Sequence, residues 1–283
     1  DGFGVVHRVN ASIDAITKFL PSVAGLLLEK EVLAIEEVIK NPKKPLMAIV
    51  GGAKIADKIV VLDSLIKTAD ILVVGGAMAN TFLLAQGMKI GDSIAEPKEV
   101  PDAKDVIERA AKESKKRHFV FYVPSDGVVA KANQPDVKTR IVDWDAHIFA
   151  SLDSYPKPAP IETMKVGADE QILDVGPFSA AFIIGLMQTA NTVVWNGSLG
   201  IVETPGRTGP VGPFAHGTEL LIESMTGEFG HRPYSLVGGG DTVSYLESRD
   251  MVDHFDHVST GGGASLELIA GKKLPGVEAL QNK

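Results

Sequence analysis

Lys54 and Lys58 stand four residues apart directly behind a Gly51-Gly52 pair, and Asp241 stands directly behind Gly238-Gly239-Gly240. At i,i+4 spacing two side chains share one face of a helix, and behind a glycine turn two ammonium groups would face any anion the turn admits. A lysine in a first helical turn opposes the helix dipole, which favours an anionic ligand, although two solvated surface lysines satisfy the same spacing. Asp241 reads either as a favourable first-turn acid or as a carboxylate placed to hold Mg²⁺ beside a phosphate. Glu203 and Asp174 are further acids expected on the same rim, without a spacing pattern of their own. His254 and His257 are spaced as metal ligands can be, but no other ligand accompanies them, and a surface pair is expected.

Glycine recurs wherever a short apolar run stops. Runs at 46–50, 71–74, 192–195, 234–237 and 257–260 end at Gly51-Gly52, Gly75-Gly76, Asn196-Gly197, Gly238-Gly239-Gly240 and Gly261-Gly262-Gly263. Glycine lets backbone approach a ligand closely, and the free N–H groups of a following helix attract anions, worth roughly 0.3–1 kcal/mol from the dipole alone. One such turn alone reads better as a strand end packed tightly; five on one edge favour a ligand site. No G-x-x-x-x-G-K-[ST] loop, no strand-borne G-x-G-x-x-G and no nucleophile motif is present, which argues against a Walker-type NTPase and a dinucleotide dehydrogenase.

The elements that must carry these residues follow from the pattern. Continuous apolar runs alternating with amphipathic stretches at 54–67, 78–86, 241–248 and 264–271 predict a doubly wound (Rossmann-like) α/β fold, a parallel sheet with helices on both faces. In such a sheet every strand-to-helix turn lies at the carboxyl edge, where ligands bind. A sixth strand is expected at 118–123, after a charged helix over 102–117. A helix over 21–40 is expected to bury two sides, since Leu26, Leu27, Val32, Ile35, Val38 and Ile39 cover more than one face. Residues 143–160 read as an irregular excursion, and 204–213, with three prolines and three glycines, as a loop.

Bulk composition bounds the rest. The 283 residues suit one large or two small domains, and the 29 glycines, about 10%, exceed the usual level of about 7%. A net charge of −8 and a pI near 5.4 argue against nucleic acid and anionic membranes as partners. The absence of cysteine excludes disulfides and thiolate metal sites and fits a reducing compartment. The apolar runs are far shorter than the roughly 18 residues of a membrane span. No signal peptide is read, and because Asp1 is not an initiator Met, a fragment or processed product is expected.

Taken in order, His7-Arg8 with Ala11-Ser12, Gly51-Gly52-Ala53-Lys54-Ile55-Ala56-Asp57-Lys58, Gly75-Gly76-Ala77-Met78, Asp174-Val175-Gly176-Pro177, Trp195-Asn196-Gly197, Gly238-Gly239-Gly240-Asp241-Thr242 and Ser259-Thr260-Gly261-Gly262-Gly263-Ala264-Ser265 resemble the phosphoglycerate kinase family. The resemblance implies a cytoplasmic, glycolytic two-domain kinase, expected as a monomer, that moves a phosphoryl group between 1,3-bisphosphoglycerate and ADP, with Mg²⁺ accompanying ADP or ATP. Residues 1–20 would be the end of a phosphoglycerate-binding N-terminal domain, 21–40 the interdomain helix, 41–273 the nucleotide domain, and 274–283 a tail returning toward the absent part.

The same resemblance assigns roles. As catalytic residues, Lys54 would stabilise the transferring phosphoryl group with the backbone N–H of Gly240, and Arg8 would be the one retained member of the family's basic substrate cluster. Lys58 would hold nucleotide phosphates, Gly238, Gly239, Gly240 and Thr242 would offer helix N-terminal N–H groups, and Asp241 would bind Mg²⁺. Gly51, Gly52, Gly75, Gly76 and Leu173 would frame the adenine, and Asn196 and Glu203 would reach the sugar side. Several positions depart from the family pattern: Asn10 replaces a second His, Ser198 and Val202 replace Pro and Phe, and 143–160 and 204–213 are longer than usual. With most of the substrate domain absent, this chain is expected to be inactive alone; a stand-alone ATP/ADP-binding module without turnover is the other reading.

Overall fold

The computed structural model describes residues 1–145 and 164–281. Its centre is a parallel sheet of six strands: β1 (Leu46–Val50), β2 (Ile71–Val74), β3 (Val120–Tyr122), β7 (Thr192–Asn196), β8 (Tyr234–Gly238) and β9 (His257–Val258), in the order β3-β2-β1-β7-β8-β9. Every residue of β1, β2 and β7 is buried, as expected of β-branched runs covered on both faces. Alternate residues of β1 serve opposite layers. Leu46, Ala48 and Val50 join one core with α1 (Leu26–Lys40), α2 (Ile59–Thr68), α4 (Val100–Ser114) and α8 (Gly262–Ile269). Met47 and Ile49 join the other core with α5 (Pro177–Met187), α6 (His216–Thr226) and α7 (Gly240–Ser248). The doubly wound reading holds, and α3 (Gly76–Ala85) follows β2 as the glycine turn implied.

The chain builds outward from β1 through β2 to β3, then returns to place β7 on the other flank of β1. The winding reverses between β1 and β7, and the gap at their carboxyl ends is where an open α/β sheet takes ligands.

A second sheet was not foreseen. β4 (Asp126–Ala130), β5 (Arg140–Asp143) and β6 (Gln171–Val175) pair antiparallel in the order β5-β4-β6. Their Asp and Gly content and short length hide any strand signal. Asp143 therefore belongs to a strand, and residues 146–160 of the expected excursion lie outside the described residues. Residues 204–213 form a loop as expected; Thr204 bonds Asn133 and Arg207 pairs with Asp136.

Two helix expectations need correction. The helix expected over 21–40 begins at Leu26, and only one stripe, Leu28, Glu31, Ile35 and Val38, is buried; Leu26 is 84% exposed and Leu33 59%. The second apolar side meets no covering element among the described residues. The helix expected from Lys54 begins at Ile59, because the Glu96 carboxylate takes the N–H groups of Ile55 (2.5 Å) and Ala56 (3.4 Å) and the Lys58 N–H turns back to the Ile55 carbonyl. The N-terminal segment packs Phe3 and Val6 into the α1/α8 core, and the tail meets it: the Gly276 N–H donates to Val6 at 2.9 Å and that of Gln281 to Ser22 at 2.9 Å.

Candidate functional site

At the reversal point, β1 and β7 run so close that their turns interlock. The Gly51 N–H donates to the Asn196 carbonyl at 2.8 Å, and Gly197 has a φ of 95°, open only to glycine without strain. A Cβ on Gly51 would overlap the Ser198 and Gly197 carbonyl oxygens.

Two cavities open over this crossing. One, of about 380 Å³, is lined chiefly by apolar side chains, among them Leu83, Trp144, Ile172 and Leu173, with Asn80, Asn133, Glu203, Ser198 and the acids Asp126, Asp174 and Asp241 among its polar groups. The other, of about 340 Å³, is polar: Lys54, Asp57, Lys58 and Asn196 line it with the first turns of α7 and α8. Gly52, Ala53, Ser198 and Asp241 border both, so the two are ends of one groove. A ligand with an apolar ring at one end and anionic groups at the other matches that polarity.

Electrostatics sharpen the polar end. Burial pushes the Lys58 ammonium down to about 8, against the opposing pull of the Asp241 and Asp57 carboxylates, and its Nζ donates to the Gly51 carbonyl. A lysine lowered in this way adds nothing to stability at neutral pH; between pH 8 and 10.5 the unfolded chain holds the extra proton, so stability rises with pH there. Asn196, 4% exposed, has a buried Nδ2 with no hydrogen-bond partner, a donor left over where the β7 turn meets the polar cavity. Such an atom is costly unless a ligand or water accepts from it. Asp241 is exposed at the helix mouth, and a Cβ on Gly240 would meet nothing within 4 Å, so the first turn of α7 is open to the groove.

The family model described as phosphoglycerate kinase matches residues 1–272. The chain belongs to the phosphoglycerate kinase family. A phosphoglycerate kinase of Roseiflexus sp. (strain RS-1) is 41% identical over all of this chain, and one of Moorella thermoacetica is 38% identical. The chain spans about 63% of the length of the first of these relatives and 64% of the second. Among solved structures, the Coxiella burnetii phosphoglycerate kinase superposes with a TM-score of 0.81 at 35% identity, covering 98% of this chain and 63% of its own. That of Pyrococcus horikoshii OT3 gives 0.75 at 26% identity, covering 99% of this chain and 62% of its own.

The fold gathers most of the residues singled out from the sequence. Lys54, Lys58, Asn196, Gly239, Gly240 and Thr242 line the polar cavity, Gly76, Leu173 and Glu203 the apolar one, and Gly52 and Asp241 both. The two lysines do not meet on a helix face, since Lys54 precedes α2 and Lys58 caps it; a turn brings them together instead. Thr242 is buried, and its hydroxyl accepts the Gly197 N–H at 3.1 Å, so the side chain braces the turn. Gly51, Gly75 and Gly238 line neither cavity. Arg8 also lies outside both, its Nε 3.3 Å from His7 Nε2.

Asp174 borders the apolar cavity but is spent on the scaffold, accepting the N–H groups of Val175 (2.8 Å) and Gly217 (3.0 Å). Burial pushes its carboxyl up to about 8, against the lowering by those backbone N–H groups. His257 is not a surface residue: it is 6% exposed and its Nε2 donates to Glu31 at 2.8 Å. Among the described residues no group of three or more acids or histidines clusters for a metal. Sequence reading missed Asn80, Asn133, Trp144 and Glu96, which stand in no motif and reach the groove or its lysine turn only through the fold.

Proposed function

We propose that this chain supplies the nucleotide-binding part of a phosphoglycerate kinase, which transfers a phosphoryl group reversibly between 1,3-bisphosphoglycerate and ADP. The observation that carries the reading is the single groove at the β1/β7 reversal, apolar at one end and lined at the other by two lysines and two helix N-termini. A nucleoside would occupy the apolar end, bordered by Leu173, Gly76 and Glu203. Its phosphates would meet Lys58, the unpartnered Asn196 amide and the N–H groups that open α7, Gly240 among them. Lys54, exposed in the same cavity, would stay with the transferring phosphoryl group and offset its charge.

Asp241 suits Mg²⁺, which takes one or two carboxylates together with substrate phosphates and does not need a cage of protein ligands. Bound there, the ion would neutralise phosphate charge. Arg8 would belong to the phosphoglycerate side, whose remaining groups we assign to the length of the relatives that this chain does not span. Residues 1–20, the α1 helix and the tail are then the boundary with that part. The cytoplasmic, glycolytic setting and the monomeric state implied by the family are proposed with it.

Titration of the 283-residue chain with ADP, with and without Mg²⁺, tests the reading. Micromolar-to-millimolar binding is expected that Mg²⁺ strengthens, and Asp241→Asn should remove most of that strengthening while leaving metal-free ADP binding close to wild type. No binding, or an unchanged magnesium effect in Asp241→Asn, would overturn the site. A coupled assay of the same chain separates the two functional readings: turnover at ordinary kinase rates contradicts inactivity alone.

A pH prediction follows from Lys58. Its ammonium is charged below about pH 8 and neutral above, so MgADP affinity should be level below that point and fall as pH rises through it. Binding near pH 8–9 should take up a proton, visible as a calorimetric heat that depends on the ionisation enthalpy of the buffer. Lys58→Ala should abolish the uptake; uptake that persists assigns it to another group.

A further inference from the structure

The turn that carries the two lysines is held from behind by a residue that touches neither cavity. Lys54, Asp57 and Lys58 line the polar cavity, whereas Ile55 and Ala56 between them do not. The Ile55 side chain is fully buried in the α1/α2 core. The N–H groups of Ile55 and Ala56 both donate to one oxygen of Glu96, at 2.5 and 3.4 Å. Without that carboxylate, nothing in the structure accepts these two N–H groups in the turn; a helical path from Lys54 would leave them as free first-turn donors instead. The carboxylate thus satisfies two donors that the turn itself leaves open, and the turn is what brings both lysines to one cavity.

Glu96 is itself fixed through α3. Its N–H donates to the Thr81 hydroxyl at 3.0 Å, and Asn80 next to Thr81 donates its amide to the Ile94 carbonyl at 3.0 Å. Asn80 and Ile94 both line the apolar cavity. A strap of three residues, 94–96, therefore runs from the wall of the apolar cavity to the back of the lysine turn. Glu96 is not one of the carboxylates that act on the Lys58 charge; those are Asp241 and Asp57. Its contribution is geometric.

We propose that Glu96 is a positioning residue for the phosphate end of the groove: by accepting the Ile55 and Ala56 N–H groups it presents Lys54 and Lys58 to the anionic part of the ligand. The inference rests on the nucleotide reading above.

The test compares two probes, MgADP and adenosine, on wild type, Glu96→Ala and Glu96→Gln, with thermal melts of each. Adenosine occupies only the apolar end, so Glu96→Ala should leave its affinity within about twofold while MgADP affinity falls about tenfold, the scale on which a loosened supporting contact acts. Glu96→Gln retains an amide oxygen for the two N–H groups and should recover most of the MgADP affinity. Equal losses for both probes in a folded Glu96→Ala protein, or no loss for either, would overturn the role. Should Glu96→Ala fail to fold, Glu96→Gln and the wild type still decide the matter through Thr81→Val, which removes the hydroxyl that holds the Glu96 backbone and should lower MgADP affinity selectively. If wild type binds neither probe, the nucleotide reading fails, an outcome distinct from failure of the Glu96 role.

Discussion

Replacing Glu31 by alanine should lower the unfolding free energy by about 3 kcal/mol, the scale for taking a carboxylate acceptor from a buried donor. Glu31 sits on α1, 1% exposed, and both its oxygens are engaged: Oε2 by His257 Nε2 at 2.8 Å, Oε1 by the Thr260 N–H and hydroxyl, each at 2.7 Å. A carboxylate only accepts, so the His257 Nε2 carries the proton. Alanine would leave that imidazole buried without an acceptor, take the acceptor from the Thr260 N–H and hydroxyl, and unfasten α1 from the turn between β9 and α8. The midpoint of thermal unfolding should drop by roughly 10 °C for a chain of this size. Glu31→Gln, which keeps the shape and one good acceptor, should lose clearly less.

The same contact sets an acid limit. Burial would raise the Glu31 carboxyl, but the hydrogen bonds from His257 and Thr260 outweigh it and hold the group below the ordinary glutamate value. A depressed carboxyl stabilises the fold above its unfolded-state value near 4.5 and loses that contribution as pH falls below it. Denaturation measured at pH 7 and pH 4 should therefore show a smaller gap between wild type and Glu31→Ala at the lower pH. A gap that does not narrow would assign the stabilisation to packing rather than charge.

The second large effect is at Gly51. A valine there would drive its Cβ into the Gly197 carbonyl carbon, 2.7 Å away, and into the neighbouring oxygens. The obstacle is backbone on both sides, so no rotamer relieves it, and β1 and β7 must part at their carboxyl ends. A cost of about 3 kcal/mol is expected from overpacking of this kind. The groove crosses that point, so MgADP binding should be lost in whatever fraction still folds. Gly240→Ala is the matched control: its Cβ meets nothing within 4 Å, so stability should stay at or slightly above wild type while the ligand loses room at the mouth of α7. Denaturant titration of the two proteins side by side reads the contrast, and equal stabilities would sink it.

These residues also show what a sequence can disclose. β1, β2, β7 and β8 were legible because a strand buried on both faces is written as an uninterrupted apolar run, and glycine marks its end. Lys54, Lys58 and Asp241 were legible because each follows such a mark. The turn at 54–58 was not, since helix-compatible residues lose their helix to a carboxylate at position 96, far along the chain. Likewise His257 looked like a surface residue because its partner, Glu31, stands 226 positions away. The antiparallel β4–β6 sheet escaped for a further reason: Asp126 and Asp174 are strand residues whose carboxylates hold the first turns of α5 and α6, so their polarity conceals the strands that carry them.

The reversal between β1 and β7 has a consequence for how the molecule comes into being. Val50 aligns with Asn196, so the groove floor joins chain segments separated by the whole of β2 to β6. Loop closure over such a distance grows only logarithmically in free energy, but it is slow to find. The groove is thus assembled by one of the longest-range pairings in the chain. A half-built sheet, even with β1, β2 and β3 in register, has no place for the ligand. Whatever binds there draws its stabilisation from completed molecules alone, so in a refolding chain it would act on the yield of finished protein and not on the early steps that lead to it.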